Sequence, residues 1–196
     1  MTDRLAPTDH PIHELLRARW SPRSFTGAPI TAAQAASLFE AARWAASSNN
    51  EQPWHFFAAR RDADPEGFAR LLGLLTPNNQ GWARNAALLA CCVARLHFAA
   101  TGKPNGTALY DCGAASAQLC LEATALGLAA HQMRGFDLDR ARVELRIPEG
   151  HDPVAMIAIG HLGPPEALPE ALAAREVAPR VRKPQAEIVH AAEWPA

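Results

Sequence analysis

The residues best suited to chemistry in this chain of 196 residues are arginines and small polar side chains in short segments. In the first segment Arg19, Ser21 and Arg23 alternate, so an extended backbone would project them to the same side. A guanidinium group donates in a planar fork that matches phosphate oxygens, and a hydroxyl adds one more donor. The spacing is typical of a phosphate site, although solvated surface arginines can show the same spacing.

A second segment, 47–52, is a run of polar residues between a helical pattern and an apolar strand pattern. Pro53 follows it, which predicts an extended conformation for Gln52. Short hydroxyl and amide groups on such a turn can hold donors and acceptors at fixed positions against a flat polar ligand. An ordinary polar surface loop has the same composition, so these residues alone leave both interpretations open. The side chains concerned are Ser47, Ser48, Asn50 and Gln52.

A second pair of arginines, Arg180 and Arg182, lies near the end of the sequence. With Arg19 and Arg23 they supply four cations that have no metal-ligand pattern beside them. The eight histidines form no His-Glu-x-x-His spacing, and Ser116 lacks the flanking glycines of a nucleophile elbow. No Gly-x-Gly-x-x-Gly or Gly-x-x-x-x-Gly-Lys segment occurs either. Cations and a polar turn together favour a bound cofactor that carries phosphate.

The composition argues against several other classes of function. The net charge is −1, with 48% apolar and 20% charged residues, so no overall attraction to nucleic acid or a membrane surface is predicted. Residues 1–11 lack the apolar segment of a secretory signal, and the run 113–130 is too short and polar to span a membrane. Without a Cys-x-x-Cys pair, reduced thiols in a cytoplasmic protein are predicted. The cysteines are Cys91, Cys92, Cys112 and Cys120.

The elements that must position these residues alternate only loosely along the chain, which indicates an α+β fold rather than a doubly wound one. Residues 76–79 are predicted to end a helix. The adjacent Cys91 and Cys92 are predicted to point to opposite faces of a strand. Four helices are predicted after the capping residues Asp9, Thr31, Asp64 and Asp137, and a long helix rich in small residues at 108–127. Strands are predicted at 54–59, 86–93, 129–133 and 153–159.

The tail from Gly163 onward is rich in proline, glutamate and alanine and has little periodicity. Near its end the short apolar pair 188–189 is a strand candidate. A tail this long with so few core residues is predicted to pack on a partner subunit. No linker divides the chain, so 1–196 is predicted to form one domain.

Four segments, taken in order, resemble the FMN-dependent nitroreductases. The match spans residue 12 to the end, and the second segment is its most specific part. The segments are Arg19-x-Ser21-x-Arg23-x-Phe25, Ala46-Ser47-Ser48-x-Asn50-x-Gln52-Pro53-Trp54, Met133-Arg134-Gly135-Phe136-Asp137 and Arg180-x-Arg182-x-Pro184.

This resemblance implies an α+β fold with a central, mostly antiparallel sheet flanked by helices, in a domain-swapped homodimer. FMN would lie at the subunit interface, the 108–127 helix would form the dimer core, and the tail, about 164–196, would wrap the neighbour. NADH or NADPH would supply hydride to flavin N5. A small organic acceptor such as a nitroaromatic or a quinone would then be reduced in a ping-pong cycle. Because the flavin carries the chemistry, no catalytic side chain is expected.

The resemblance also implies roles for single residues. Arg23 would lie near the ribityl chain or the N1/O2 edge of the flavin, and main-chain groups of Arg134 and Gly135 would lie near N5. The phosphate would be held by Arg19, Ser21, Arg180 and Arg182. The same flavin would be contacted from the partner chain by Ser47, Ser48, Asn50 and Gln52. The remaining cofactor-binding residues implied are Trp20 and Asn79.

Three positions depart from the family pattern. Ala46 stands where the family usually has proline, and Arg134 where some members have an acidic residue. Trp82 occupies a region where some members place a lysine near the flavin, which leaves Asn79 as the polar contact there. These departures leave open a substrate preference different from that of the usual nitroaromatic reducers.

Other functions are compatible with the same residues. The flavin site of related proteins is used for reductive dehalogenation, enone reduction or flavin destruction. A flavin-binding or sensing protein without turnover would need the same contacts. A protein-interaction module without a cofactor is a third alternative.

Overall fold

The computed structural model describes residues 4–193, so both ends of the predicted domain and the end of its tail lie outside the described residues. The helices are α1 Glu14–Ala18, α2 Ala32–Arg43, α3 Pro65–Leu74, α4 Pro77–Ala83, α5 Ala108–Ala125, α6 Leu138–Glu144 and α7 Glu170–Val177. The strands are β1 Trp54–Arg60, β2 Leu88–Arg95, β3 Ala129–Met133 and β4 His151–Gly160. Short 3-10 turns lie at Ser48–Asn50, Pro165–Ala167 and Gln185–Glu187.

The four strands form one antiparallel sheet in the order β1-β2-β4-β3. β2 and β4 are the central strands, and they are joined along their whole length apart from an irregularity between Cys92 and Val93. The predicted α+β class and the mostly antiparallel central sheet are confirmed. The register brings the beginning of β1 and the end of β2 to one end of the sheet, where Trp54 pairs with Ala94.

Side chains of β2 alternate between two hydrophobic clusters, one on each face of the sheet. Leu89, Cys91 and Val93 pack with residues of α3, α4 and α6 on one face. Leu88 and Ala90 pack with α2 and α5 on the other. Cys91 and Cys92 therefore point to opposite faces, as predicted, and all four cysteines are free and buried. Helices cover both faces, so the sheet is the middle layer of the fold.

Three of the predicted helix caps are confirmed. Thr31 and Gln34 form a capping box, with Thr31 Oγ1 accepting the Gln34 N–H at 3.0 Å. The carboxylates of Asp64 and Asp137 accept from backbone N–H groups at 2.9 and 3.0 Å. These local signals place α2, α3 and α6 where the sequence predicts them.

The prediction that Asp9 caps the first helix is wrong. α1 begins at Glu14, and Nδ1 of His13 accepts the Leu15 N–H at 3.2 Å. The N–H of Ala6 donates to the carbonyl of Arg17 at 2.9 Å, which ties the preceding segment to the end of this helix.

The structure also differs from the prediction in three other places. Residues 76–79 are predicted to end a helix, but α4 also begins among them, at Pro77. Proline suits the first position of a helix because the N–H that it lacks would have no partner there. The tail contains α7, which the sequence analysis did not predict. The pair 188–189 is not a strand, since both N–H groups donate back to the carbonyl of Gln185.

Among residues 4–193, no helix is long and apolar enough to cross a membrane. Over the same residues, no three side chains of the metal-binding types come together as a candidate site.

Candidate functional site

A cleft of about 300 Å³ is formed by the first arginine segment and the tail of the same chain. Five arginines line it, and no described aspartate or glutamate does. Arg19 Nη1 lies 3.3 Å from Ser21 Oγ, so these two side chains share one side of their segment, as predicted. We call this the arginine cleft. Its lining residues are Arg4, Arg19, Trp20, Ser21, Arg175, Ala178, Pro179, Arg180, Val181 and Arg182.

Arg180 binds the backbone of its own chain. Its Nη1 donates to the carbonyl oxygens of Arg4 and Arg17, at 2.6 and 2.7 Å. Its Nη2 donates to the carbonyl of Arg19 at 2.7 Å. Burial, followed by the neighbouring arginines, lowers the pKa of the Arg180 guanidinium. This side chain therefore joins the tail to the segment that carries Arg19 and fixes one wall of the cleft.

Arg4 and Trp20 form another wall of the arginine cleft. The Arg4 guanidinium carbon lies 4.5 Å from the centroid of the Trp20 ring, a cation–π contact. Arg4 also donates to the carbonyl oxygens of Glu176 and Ala178. Arg4 is not among the predicted site residues, and its contacts lie far away along the chain.

Arg182 and Arg175 remain available to a ligand. Both are exposed, and the one side-chain hydrogen bond of Arg182 in the described residues is to its neighbour, the Val181 carbonyl, at 2.8 Å. Arg175 makes no hydrogen bond or ion pair within residues 4–193. Guanidinium groups without acidic partners are the donors that fit a phosphate group.

Arg23 does not line the arginine cleft, in contrast to the expected alignment with Arg19 and Ser21. Its backbone N–H donates to Oε1 of Glu176 at 2.7 Å, and its Nη1 lies 4.0 Å from Glu176 Oε2. Burial and then the nearby Arg175 lower the pKa of Arg23, whereas Glu176 raises it. The reason for the difference is tertiary: α7 places a buried carboxylate behind Arg23.

The segment that carries Arg23 is fixed by residues that follow β4. Ser24 Oγ donates to the carbonyl of Pro164 at 2.6 Å, and Gly163 N donates to the Ser24 carbonyl at 2.9 Å. A Cβ atom at Gly163 would lie 2.7 Å from Ser24 Oγ and 2.9 Å from the carbonyl carbon of Phe25. The two backbones approach so closely that only glycine fits between them.

His131 holds the same segment from the sheet side. Its Nδ1 donates to the carbonyl oxygen of Pro22 at 2.8 Å, and its ring lies 4.7 Å from that of Trp82. Burial is the main cause that lowers the pKa of His131 below its usual 6.5. Trp82 is itself only 2% exposed, so it belongs to the core and offers no surface to a ligand.

The loop 47–52 has an unusual backbone. Asn49, Asn50 and Gln52 have positive φ angles of 53°, 53° and 49°, in the left-handed region that asparagine tolerates better than most residues. The expectation that Pro53 makes Gln52 extended is therefore wrong. Gln52 N–H donates to Ser47 Oγ at 2.9 Å, which closes the loop on itself and holds this conformation.

Two carboxylates anchor the loop to the rest of the chain. The buried Asp111 of α5 accepts the Ser48 N–H at 3.2 Å. Glu51 accepts from Arg95 and from the N–H of Ala99 at 2.7 Å. The loop is thus preorganised by its own chain. Its side chains make no hydrogen bond to the arginine cleft within the described residues.

Gly135 and Asn79 form a third polar group. The Gly135 carbonyl accepts from the N–H of Thr76 and from Nδ2 of Asn79, both at 3.0 Å. A Cβ atom at Gly135 would lie 2.5 Å from Asn79 Nδ2, so a larger residue here would displace the Asn79 amide group. The Asn79 amide group therefore holds the Gly135 backbone in place.

Arg134 lies beside a second cleft of about 240 Å³, where β3 ends and β4 begins. Its guanidinium carbon is 5.2 Å from the Phe136 ring centroid, and it forms no ion pair in the part of the chain that the structure describes. Arg142 in the same cleft pairs with Asp152. The cleft is lined by Leu109, Arg134, Leu138, Asp139, Arg142, Asp152, Pro153 and Val154.

The structure thus brings some of the predicted residues together and leaves others apart. Gly135 and Asn79 are in contact, while Arg23, Arg134 and the loop 47–52 lie outside the arginine cleft of the single chain. The predicted residues assembled in that cleft are Arg19, Trp20, Ser21, Arg180 and Arg182.

Arg175 and Glu176 are not among the predicted site residues, because the tail shows little periodicity. The sequence does contain a helix signal there, because Pro169 is followed by a run of helix-forming residues. That run is α7. For Arg4 the sequence holds no comparable signal, because its partners are distant in the chain.

One family model and two relatives match most of this chain. The model of the Nitroreductase family matches residues 16–161. A Mycolicibacterium smegmatis protein named "Uncharacterized 15.4 kDa protein in ask 5'region" is 39% identical over 137 residues, which are 68% of this chain and 88% of that protein. A "Putative NADH dehydrogenase/NAD(P)H nitroreductase" of Archaeoglobus fulgidus is 26% identical over 157 residues, 76% of this chain and 83% of that protein.

Solved structures share the fold. A protein described as an oxidoreductase containing FMN superposes with a TM-score of 0.93 at 36% identity, over 100% of this chain and 98% of the other. A nitroreductase family protein of Clostridium difficile 630 gives a TM-score of 0.71 at 22% identity, over 92% and 97% of the two chains.

Proposed function

The chain belongs to the nitroreductase family, and from this we propose that it is an FMN-dependent oxidoreductase that uses NADH or NADPH to reduce a small organic acceptor. The observation that carries the proposal is the arginine cleft. It joins two distant segments, concentrates guanidinium groups and a hydroxyl, and lacks an acidic lining in the described residues. The name of the structure with a TM-score of 0.93 supports FMN, and the name of the Archaeoglobus fulgidus relative supports NAD(P)H.

The donor set fits the phosphate of FMN. In this proposal Arg19, Ser21 and Arg182 bind the phosphate oxygens, and Arg175 joins them from α7. Arg180 holds the backbone that carries Arg19 and has further N–H groups for the ligand. Charge-assisted hydrogen bonds from several guanidinium groups would give the monophosphate a strong and specific site.

The flavin ring would lie outside the arginine cleft, toward Arg23. When bound, FMN supplies hydride transfer at N5, so no side-chain acid or base is required. A guanidinium near the N1/O2 edge stabilises the negative charge that reduction places there, most strongly in a poorly solvated pocket. Arg134 and Gly135 would offer main-chain groups near N5.

We further propose that two copies of the chain complete the site. The loop 47–52 is rigid and polar but separate from the arginine cleft of its own chain. In a homodimer, Ser48, Asn50 and Gln52 of one chain would contact the flavin held by the other. The chain would form one domain.

The first part of the predicted wrapping tail, 164–182, packs on its own chain through Pro164, Glu176 and Arg180. We therefore propose that only the exposed end, 183–193, lies on the partner.

The acceptor would occupy the position that the nicotinamide leaves, which makes the cycle ping-pong. Nitroaromatics and quinones are the proposed acceptors. Arg134 at the second cleft adds positive charge to the route by which they approach. Arg134 forms no ion pair within residues 4–193, so its positive charge is not neutralised. This charge is the feature that we expect to alter the preference among acceptors.

The test is an absorbance spectrum of the purified protein after incubation with FMN, followed by anaerobic addition of NADH or NADPH. Bound flavin bands that bleach, and recover when a quinone or nitroaromatic is added, are the expected result. Bands that persist would indicate another reductant or a sensing role. A protein that never acquires bands would overturn the proposal.

A further inference from the structure

Glu176 of α7 is a buried carboxylate whose hydrogen bonds are incomplete. It is 1% exposed, and its Oε1 accepts the backbone N–H groups of Arg23 and Ser24 at 2.7 and 2.9 Å. Its Oε2 has no hydrogen-bond partner among residues 4–193 and lies 4.0 Å from Arg23 Nη1. Burying a charge costs several kcal/mol, so an ion pair of this kind adds little to stability. A buried charge at this position therefore points to a role beyond stability.

The surroundings of Arg23 indicate that role. Arg175, next to Glu176 in α7, adds positive charge near Arg23, and burial disfavours the charged guanidinium further. Glu176 is the acidic group that opposes both effects. Two consecutive residues of one helix therefore act on Arg23 with opposite charges.

We propose that Glu176 is a positioning residue that sets both the direction and the effective charge of Arg23 beside the flavin. This inference rests on the proposed function, since it concerns the bound cofactor. Through its two backbone acceptor contacts, Glu176 fixes the chain at Arg23 and Ser24. Through its charge, it limits how strongly Arg23 favours the reduced, negatively charged cofactor. The tail thereby adjusts the reduction potential of the flavin site.

The experiment is redox titration of the FMN-loaded Glu176→Gln protein. Glutamine keeps an oxygen that accepts from the two backbone N–H groups but removes the negative charge. The flavin midpoint potential should shift to a more positive value than in the wild type. Arg23→Gln should shift it in the opposite direction, because it removes the positive charge and leaves Glu176. A wild-type potential in FMN-loaded Glu176→Gln overturns the inference.

A matched control is Glu170→Gln, which removes an exposed carboxylate in the first turn of the same helix. Its potential should equal that of the wild type. A shift as large as that of Glu176→Gln would show that any tail charge acts on the flavin, and would contradict the specific role of Glu176.

A second measurement covers the case in which Glu176→Gln does not fold. In amide hydrogen exchange of the wild-type protein, the N–H groups of Arg23 and Ser24 should exchange more slowly than the N–H of the exposed Gly106. Equal exchange would mean that Glu176 does not hold this backbone, and the inference fails. If the wild type binds no flavin, the proposed function itself fails, which the absorbance spectrum shows separately.

Discussion

Single arginines of the site differ in what they already bind. Arg180 donates to three backbone carbonyls, whereas Arg175 and Arg182 lack acidic partners within the described chain. The first has a structural role, and the others have free donors for a ligand. Substitutions should therefore separate loss of cofactor from loss of stability.

Replacing a donor of the arginine cleft should weaken FMN binding. We expect Arg19→Ala, Arg182→Ala and Arg175→Gln each to raise the FMN dissociation constant about 10-fold or more, the equivalent of one charge-assisted hydrogen bond. Fluorescence titration with FMN measures this. Riboflavin, which has no phosphate, should bind all three variants and the wild type alike. Unchanged FMN affinity would contradict the phosphate assignment.

Arg180→Ala should instead destabilise the apoprotein. Three backbone carbonyls lose their donor, and we expect the free energy of unfolding to fall by about 2 kcal/mol. Urea denaturation without FMN measures the change. The exposed Arg70→Ala is the control and should unfold like the wild type. Wild-type stability of Arg180→Ala would show that these contacts do not matter.

His131 makes stability depend on pH. Its folded pKa is lowered by burial, so below about pH 6.5 the unfolded chain binds a proton that the folded chain does not. Stability should be constant above that pH and fall as the pH drops through the window below it. His131→Gln, which keeps a donor for Pro22, should show a smaller fall. Denaturant midpoints at pH 5 to 8 test this, with the exposed His10→Gln as control.

Among the elements, α7 has the largest effect on the site. It lies in the tail, supplies Arg175 and Glu176, and packs against the segment that carries Arg23. The turn that leads into the tail is equally constrained, because Gly163 passes within contact distance of Ser24 and Phe25. The geometry of the cleft depends on this junction.

Gly163→Ala should loosen the junction. The new methyl group would overlap Ser24 Oγ and the Phe25 backbone, and overpacking of this kind costs about 1–3 kcal/mol. The denaturation midpoint should fall and FMN should bind more weakly. Gly106→Ala is a matched control, since no atom lies within 4 Å of its Cβ position. Equal behaviour of the two variants would refute the role of the close approach.

For the whole molecule, the decisive feature is the separation of the loop 47–52 from the arginine cleft. Each is well ordered by its own contacts, yet one chain does not join them. α5 also presents Leu109 and Tyr110 to solvent, with exposures of 54% and 80%. Both observations favour a site completed by a second copy of the chain.

The assembly can be tested by sedimentation. The wild type should sediment at about twice the 21.1 kDa mass of one chain. Tyr110→Asp should shift it toward the monomer and weaken FMN binding, because a charge in the interface is costly to bury. Val143→Asp, at an exposed position of α6, should remain dimeric. A monomeric wild type that binds FMN tightly would contradict the shared site.

The sequence by itself determined the elements with strong local signals. Capping residues predict the starts of α2, α3 and α6, because a cap forms its hydrogen bond with a backbone N–H only three positions further along. Short apolar runs predict the four strands, because each run is a local pattern in the sequence. The resemblance of ordered motifs then gave the family. It also gave five of the ten residues that line the arginine cleft, but not Arg4 or Arg175.

Only the tertiary structure decided how those residues are held. The direction of Arg23, the backbone role of Arg180 and the burial of Trp82 each depend on partners more than 40 positions away in the chain. The loop 47–52 has a left-handed backbone because the side chains of Ser47 and Asp111 accept hydrogen bonds from its N–H groups. These contacts override the local preference for an extended residue before proline. Apart from the hydrogen bond between Gln52 and Ser47, these contacts join distant segments, and no periodicity or spacing in the sequence encodes them.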